Sequence, residues 1–366
     1  MLTWLEISKP ALQHNIRQFR KLIGPKVLLM PVVKSNAYGH GFLEVAKILN
    51  KEKQVNRICV VNLDEANELI NGKIKKPIQI LSFFEWNEDK IKKAIKNKVI
   101  FPIYSLEYAK KLNKLGEKLK IKVKIAIKVD TGASRVGILP KDTIKFIKTI
   151  KQLNNLQIND LFSHFASSEE DKAQTDEQYK IFNNLLKEVE KENIKIPVKH
   201  IACSAVPVIY SKANLNAMRL GISLYGLHPG FKTKNKVNLK PVLSWYTKVI
   251  QIKNIPKGTK VSYGGTCITN RETKIAVLPI GYWDGYDRSL GNKAFVEIKG
   301  QKCPILGRIC MNLTVVDVTK VKNIRVEDQV ALIGGNVTAD DLAKWADTIN
   351  YEIVTRINSQ LPRIIK

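Results

Sequence analysis

The chain has 366 residues, 44% hydrophobic and 26% charged, which excludes a disordered protein and gives more chain than one small core can use. Its formal net charge of +28 invites a nucleic-acid or membrane-surface reading. The excess, however, is lysine spread over helical segments such as Lys110, Lys111, Lys114, Lys118 and Lys120, a solvated face rather than a phosphate-binding patch, so no specific nucleic-acid partner is expected.

From the N-terminus, Met1 to Lys21 carries Glu6, Lys9, His14 and Arg17 and has no uninterrupted apolar core, so a signal peptide is not expected. Ser8 ahead of Pro10 starts a helix. Apolar strands are expected at Val27–Lys34, Arg57–Asn62, Pro77–Ser82, Val99–Tyr104, Val123–Asp130, Asp160–Phe165, His200–Ser204 and Asn216–Leu220, with segments of helical period between them. The run Val27–Val33 contains Pro31 and is too short to span a bilayer. Eight such strands alternating with helices predict an N-terminal (β/α)8 barrel of the TIM type. A doubly wound open sheet is the alternative, but its glycine-rich loop would stand where the sequence reads Lys34-Ser35-Asn36-Ala37-Tyr38-Gly39-His40-Gly41.

Beyond Lys232 the texture changes to short strands and turns: Val242–Ile252, Lys274–Pro279, Ala294–Ile298, Cys303–Ile309, Thr314–Val318 and Gln329–Ile333. The expected division is therefore a barrel over 1–235 and a mostly β domain over 236–366, to which Leu2–Ile7 can add a strand. Cys59, Cys203, Cys267, Cys303 and Cys310 are scattered, with no paired spacing and no histidine at ligand distance in sequence. No metal is expected, and reduced thiols in a cytoplasm fit best.

Catalytic groups in such barrels lie at the carboxyl ends of the strands. Lys34, Lys128, Arg135, His164, Ser204 and Arg219 all fall there and are expected to face one mouth. Each has a plainer explanation: a lysine leaving the core, a hydrogen-bonded core histidine, arginines in ion pairs, a serine in a turn. Their delivery by independent strands to one end favours function. A lysine amine beside arginines, with Ser204, Gly221 and Ile222 able to hold a phosphate dianion, suits a Schiff-base cofactor, and pyridoxal 5'-phosphate meets those requirements.

The stretch Val32-Val33-Lys34-Ser35-Asn36-Ala37-Tyr38-Gly39-His40-Gly41 resembles the cofactor-attachment motif of alanine racemases. Further similar segments follow in order: Lys128-Val129-Asp130-Thr131-Gly132 with Arg135 and Gly137; Ser163-His164-Phe165-Ala166; Arg219-Leu220-Gly221-Ile222 with Tyr225-Gly226; Val261-Ser262-Tyr263-Gly264-Gly265-Thr266; Pro279-Ile280-Gly281-Tyr282 with Asp284-Gly285-Tyr286; Gly307-Arg308-Ile309-Cys310-Met311; and Tyr351-Glu352-Ile353.

The resemblance implies an isomerase that interconverts L- and D-alanine and supplies D-alanine for peptidoglycan. Lys34 would carry the cofactor as an aldimine and act as the base on one face of the substrate, with Tyr263 acting on the other. Two bases on opposite faces allow inversion, whereas one would tend to return the proton to the face it left. Tyrosine is a poor base at its ordinary pKa of about 10, and in the family a chain through His164 to Arg219 assists it. Arg219 would face the pyridine nitrogen and can only donate, which leaves that nitrogen unprotonated and the ring a weaker electron sink.

Arg135 would contact the cofactor's phenolic oxygen and the substrate carboxylate, with Met311 and Tyr282 near the substrate. Tyr38, Ser204, Gly221, Ile222 and Tyr351 would contact the phosphate. Lys128 matches a position that some members carbamylate to orient that arginine; a bound anion such as chloride is the alternative. The chain departs from the family pattern in two places: Cys203 stands where asparagine is usual, and Asn312 and Leu313 stand where aspartate and glutamine are common. Tyr263 and Met311 would reach the barrel of a partner subunit, which implies a homodimer with composite sites.

Three alternatives stay open. A racemase of this fold acting on serine or basic amino acids is the nearest. A pyridoxal-phosphate decarboxylase fits the Tyr263 and Arg219 segments less well. A non-catalytic cofactor-binding barrel would lack the β domain.

Overall fold

The computed structural model describes residues 1–366 as two compact units, Leu12–Lys34 with Val45–Lys240, and Met1–Ala11 with Ser35–Glu44 and Pro241–Lys366. These units interleave in sequence, whereas the expected domains 1–235 and 236–366 are contiguous.

The first unit is a closed barrel of eight strands: Leu28–Pro31, Ile58–Val60, Ile78–Ile80, Phe101–Ile103, Val123–Lys128, Leu156–Phe162, Val198–His200 and Ala217–Leu220. The first strand pairs parallel with the last, Leu28 opposite Ala217 and Pro31 opposite Leu220. Ile58–Val60 pairs with Ile78–Ile80, and the fourth to seventh strands pair in chain order, all parallel. Bridges Val32–Cys59 and Gln79–Ile100 close two of the remaining seams, and Arg219 N–H donating to Ala202 C=O at 3.2 Å closes the third. Ile58–Val60, Ile78–Ile80 and Phe101–Ile103 are buried at every residue, as strands covered on both faces must be. Asn62, Asn87, Ser105 and Asp171 cap the helices that follow by accepting a backbone N–H three residues on.

Strand limits differ from the sequence reading in ways that bear on the site. The first strand stops at Pro31, and Lys34 opens a short turn rather than ending the strand. The sixth begins at Leu156, because Gln157, polar enough to resemble a loop residue, pairs with Lys124, while Asn159 is the residue bulged out between the Ile158 and Asp160 pairs. It ends at Phe162, so His164 stands two residues beyond. The seventh ends at His200, which leaves Ser204 in the loop after it.

In the second unit a six-stranded sheet has the order Gln301–Pro304, Phe295–Ile298, Gln329–Ile333, Leu243–Lys248, Trp4–Ile7, Arg363–Ile365. Trp4–Ile7 runs antiparallel to Leu243–Lys248 and parallel to Arg363–Ile365. A three-stranded sheet contains Gln251–Ile255, Thr273–Leu278 and Thr314–Asp317. The single strand expected over Val242–Ile252 is therefore two. Val249 N–H bonds to Asp328 and Ile250 N–H to Val277, which turns the chain from one sheet to the other. The strand expected over Cys303–Ile309 pairs over Gln301–Pro304, opposite Phe295–Ile298, and Leu306–Ile309 leaves that ladder. Trp245 and Tyr286, both fully buried, meet edge to face at 5.7 Å and centre this core. No helix is long and apolar enough to cross a membrane.

Candidate active site

Asp130 builds the loop that follows the fifth barrel strand. Its carboxylate accepts the backbone N–H groups of Gly132, Ala133, Ser134 and Arg135 at 2.8–3.1 Å, folding the chain back so that Arg135 is displayed at the surface. Burial pushes this carboxyl up, but the four N–H groups outweigh it and hold the pKa below the usual range.

Lys34, Lys128, Arg135, His164 and Arg219 are near enough to act on one another's charge. The Lys34 amine is lowered by burial and then by Arg135, with Glu65 opposing and Arg219 adding a smaller lowering. Lys128 is pushed down to about 8 by burial, with Arg219, Arg135 and Lys34 adding to it. Its ammonium donates to the Leu81 carbonyl at 3.1 Å and lies 5.7 Å from the Phe162 ring centre. Burial, then Arg219, Arg135, Lys34 and Lys128, hold His164 well below an ordinary histidine, so its ring is neutral.

Arg219 is buried and held from several directions. One terminal nitrogen donates to His200 Nδ1; the other reaches the carbonyls of Ser163 (2.8 Å) and Ile201 (3.0 Å) and His164 Nδ1 (3.2 Å). A guanidinium can only donate, so both imidazoles must accept at Nδ1 and carry their proton at Nε2. His200 Nε2 donates to Asp160 Oδ2 at 3.1 Å, and that oxygen also accepts from Arg57 at 2.5 Å. Arg57 donates in turn to Gln79 Oε1 at 2.7 Å, and His200 stacks on Phe162 at 4.9 Å and 9°.

Arg57, Asp160, Gln79 and His200 did not emerge from the sequence as site residues. Their trace was there: Arg57, Asp160 and His200 each lead directly into an apolar run, which in a barrel points a polar group inward.

The segment from Lys34 into Tyr38 is left-handed. Ser35 (φ 54°, ψ 59°), Asn36 (55°, 42°) and Ala37 (51°, 49°) lie in the αL region, and Tyr38 has φ 54°. That conformation costs roughly 1–2 kcal/mol per L-residue, so surrounding bonds must impose it. Asn36 Oδ1 accepts from Phe42 N–H at 2.8 Å, and His40, fully buried, pairs its Nδ1 with Tyr38 O at 2.9 Å. The Tyr38 and Tyr351 rings lie 6.2 Å apart.

In the β unit, Tyr263 heads a tight turn behind Ser262, whose hydroxyl donates to Arg308 O at 2.6 Å. Tyr282 N–H bonds to Cys310 O and Trp283 N–H to Met311 O, at 3.1 and 3.0 Å. A Cβ at Gly281 would lie 2.2 Å from Cys310 O, so this close approach requires glycine. Three segments thereby present one surface on which Tyr263 is 71%, Trp283 60%, Met311 54% and Tyr282 44% exposed.

The donor set fits pyridoxal 5'-phosphate. Lys34 supplies an amine with lowered proton affinity and Arg219 a fixed cation. For the phosphate, Ser204 Oγ lies against the backbone N–H groups of Gly221 (3.0 Å) and Ser223 (3.4 Å), so hydroxyl and amide donors converge. Cys203 makes a 3.3 Å contact with Ser168 Oγ.

Residues 7–229 match the family described as "Alanine racemase, N-terminal domain" and residues 242–365 "Alanine racemase, C-terminal domain". A protein of Halothermothrix orenii named alanine racemase is 42% identical over 369 residues, spanning 100% of this chain and 97% of its own. An alanine racemase of Methanococcus maripaludis is 40% identical, over 99% of this chain and 98% of its own. The solved structure of alanine racemase from Clostridium difficile 630 superposes with a TM-score of 0.95 at 34% identity, covering 100% of this chain and 96% of that one.

Proposed function

We propose that this chain, which belongs to the alanine racemase family, interconverts L-alanine and D-alanine with pyridoxal 5'-phosphate held at Lys34. The observation that carries the reading is the convergence of Lys34, Lys128, Arg135, His164 and Arg219 at the mouth of one barrel, with the Lys34 amine lowered there. When bound, pyridoxal 5'-phosphate would link to the substrate's amino group and acidify its Cα–H.

Lys34 holds or releases the proton on one face of Cα. Its lowered proton affinity keeps more of the amine neutral than in a solvent-exposed lysine, and the neutral amine is the form that can accept a proton. Tyr263 serves the opposite face. His164 accepts from Arg219 at Nδ1 and so presents Nε2–H, a donor able to stabilise a phenolate on Tyr263. Arg219 keeps its proton and would be the donor for the cofactor's ring nitrogen, while Asp160 and His200 fix the direction of its guanidinium. Arg135 binds the substrate carboxylate, with Tyr282 and Met311 around the side chain. Ser204, Gly221, Ile222, Tyr38 and Tyr351 would hold the phosphate, Ser204 Oγ lying beside the Gly221 N–H and the Tyr38 ring near that of Tyr351.

The exposed surface of Tyr263, Trp283, Met311 and Tyr282 supports a homodimer in which a second copy contributes Tyr263 and Met311 to each barrel mouth. Lys128, lowered to about 8, supports its carbamylation, with bound chloride as the alternative. Five unpaired cysteines suit a reducing cytoplasm, where D-alanine would serve peptidoglycan synthesis.

A racemisation assay of the cofactor-loaded protein across alanine, serine, lysine and arginine tests the proposal. The highest kcat/KM is expected for alanine, with activity and visible absorbance both lost in Lys34→Ala. A preference for serine or a basic amino acid, or a loaded protein inert toward all four, would overturn it.

A further inference from the structure

Four successive non-glycine residues, Ser35 to Tyr38, are left-handed directly after Lys34. Bonds inside the turn close it: Gly39 N–H to Ser35 O, His40 N–H to Ala37 O and Gly41 N–H to Asn36 O, at 3.1–3.2 Å. Such short contacts also form in right-handed turns, so something outside must select the hand. The C-terminal segment reaches this turn from outside. Arg363 Nε donates to Gly39 O at 3.0 Å, and its terminal nitrogens donate to Asn358 O (3.2 Å), Ser359 O (3.0 Å) and Leu361 O (2.6 Å).

One guanidinium therefore ties the exit of the left-handed turn to a loop 319 residues further along the chain, counted from Gly39 to Asn358. The loop is anchored in its own right, because Arg363–Ile365 is a sheet strand beside Trp4–Ile7. The packing at this tie is close: a methyl group at Gly39 would lie 1.8 Å from the backbone oxygen of Val354, and one at Gly41 would lie 2.9 Å from the side-chain Cδ of Arg363. Glycine at both positions lets the turn seat against the C-terminal segment.

We propose that Arg363 is a positioning residue, a latch that holds the Ser35–Tyr38 turn left-handed and thereby sets the backbone from which Lys34 and Tyr38 meet the cofactor. The inference rests on the reading that Lys34 and Tyr38 hold pyridoxal 5'-phosphate. Lysine cannot replace the latch, since one ammonium cannot serve Gly39 and the three loop carbonyls with the planar fork of arginine.

The test compares full-length parent, Arg363→Ala and Arg363→Lys. One readout is hydrogen exchange of the Gly39–Phe42 amides in apo protein; the other is the pyridoxal 5'-phosphate dissociation constant from absorbance titration. We expect Arg363→Ala to lose protection at Gly39–Phe42 while the Val123–Lys128 strand keeps its own, and to bind the cofactor about tenfold more weakly. Arg363→Lys should fall between parent and alanine. Millimolar methylguanidinium should restore part of both readouts in the alanine variant.

Parent-like exchange and affinity in Arg363→Ala would overturn the latch. So would protection lost evenly across the chain with no methylguanidinium rescue, the signature of a merely structural arginine. If Arg363→Ala does not fold, the lysine variant decides by the same two readouts. A parent chain that binds the cofactor no better than Lys34→Ala would instead refute the cofactor reading, and the exchange experiment on apo protein would still judge the latch.

Discussion

Arg219 donates to Nδ1 of His200, and this bond dictates where His200 carries its proton. Nε2–H then faces Asp160, whose other partner is the buried Arg57. The order Arg219, His200, Asp160, Arg57 is a directed series in which every donor meets an acceptor, and its outer end is the guanidinium at the barrel mouth.

Asp160→Asn cuts that series at its only anion. Removing one partner of a buried pair typically costs about 3–5 kcal/mol, since the other charge stays buried. A urea unfolding midpoint lowered accordingly is the expected result. The folded fraction should also show kcat reduced by about tenfold, because the His200 Nε2–H no longer meets a charged acceptor and the ring that orients Arg219 is held less firmly. Parent-like stability and kcat together would remove Asp160 from the account.

Acid should unfold the protein partly through two histidines. Burial pushes His40 down to about 4, and burial with Arg219 does the same for His200 although Asp160 opposes it. The unfolded chain binds these protons near 6.5 and the folded chain only near 4, so stability is fully present above pH 6.5. It falls as pH drops through that window, by up to roughly 3 kcal/mol for each ring. Urea midpoints measured from pH 7 to 4 check the slope, and 15N-histidine spectra check the assignment: both rings should remain neutral at pH 5.

Lys128, at about 8, is substantially neutral under mildly alkaline conditions, and the neutral amine is the form that adds carbon dioxide to give a carbamate and a proton. The resulting anion would sit among Arg219, Arg135 and Lys34, whose charges disfavour an ammonium there. Protein incubated with 13C-bicarbonate should show a carbamate carbon resonance that disappears in Lys128→Arg. Its absence in the parent, with activity that depends on chloride, would assign the position to a bound anion.

Mixing Lys34→Ala with Tyr263→Ala under conditions that exchange subunits should recover roughly a quarter of parent activity. Random pairing makes half the dimers mixed, and each mixed dimer holds one site with both bases intact. Self-contained chains would recover none.

The primary structure alone determined the barrel, the β domain and the main reactive groups. Hydrophobic period is a local property, and Lys34, His164 and Ser204 stand just beyond an apolar run, Arg135 in the loop after one and Arg219 within one, all visible without knowing what each run packs against. The Tyr263 and Met311 segments are contiguous and legible for the same reason. Only the tertiary structure decided the rest. Asp160, His200 and Arg219 come from three different strands and Arg57 from the residue before a fourth, and no local window shows which polar residues meet inside a closed sheet. The left-handed turn after Lys34 contradicts the preference of each residue in it, so its cause had to lie elsewhere, in the glycine contact with Val354 and the guanidinium of Arg363. Burial also set the proton affinities of Lys34, Lys128, His164 and His200. Charge and solvent exclusion depend on neighbours in space, and those neighbours exist only once the sheet has closed.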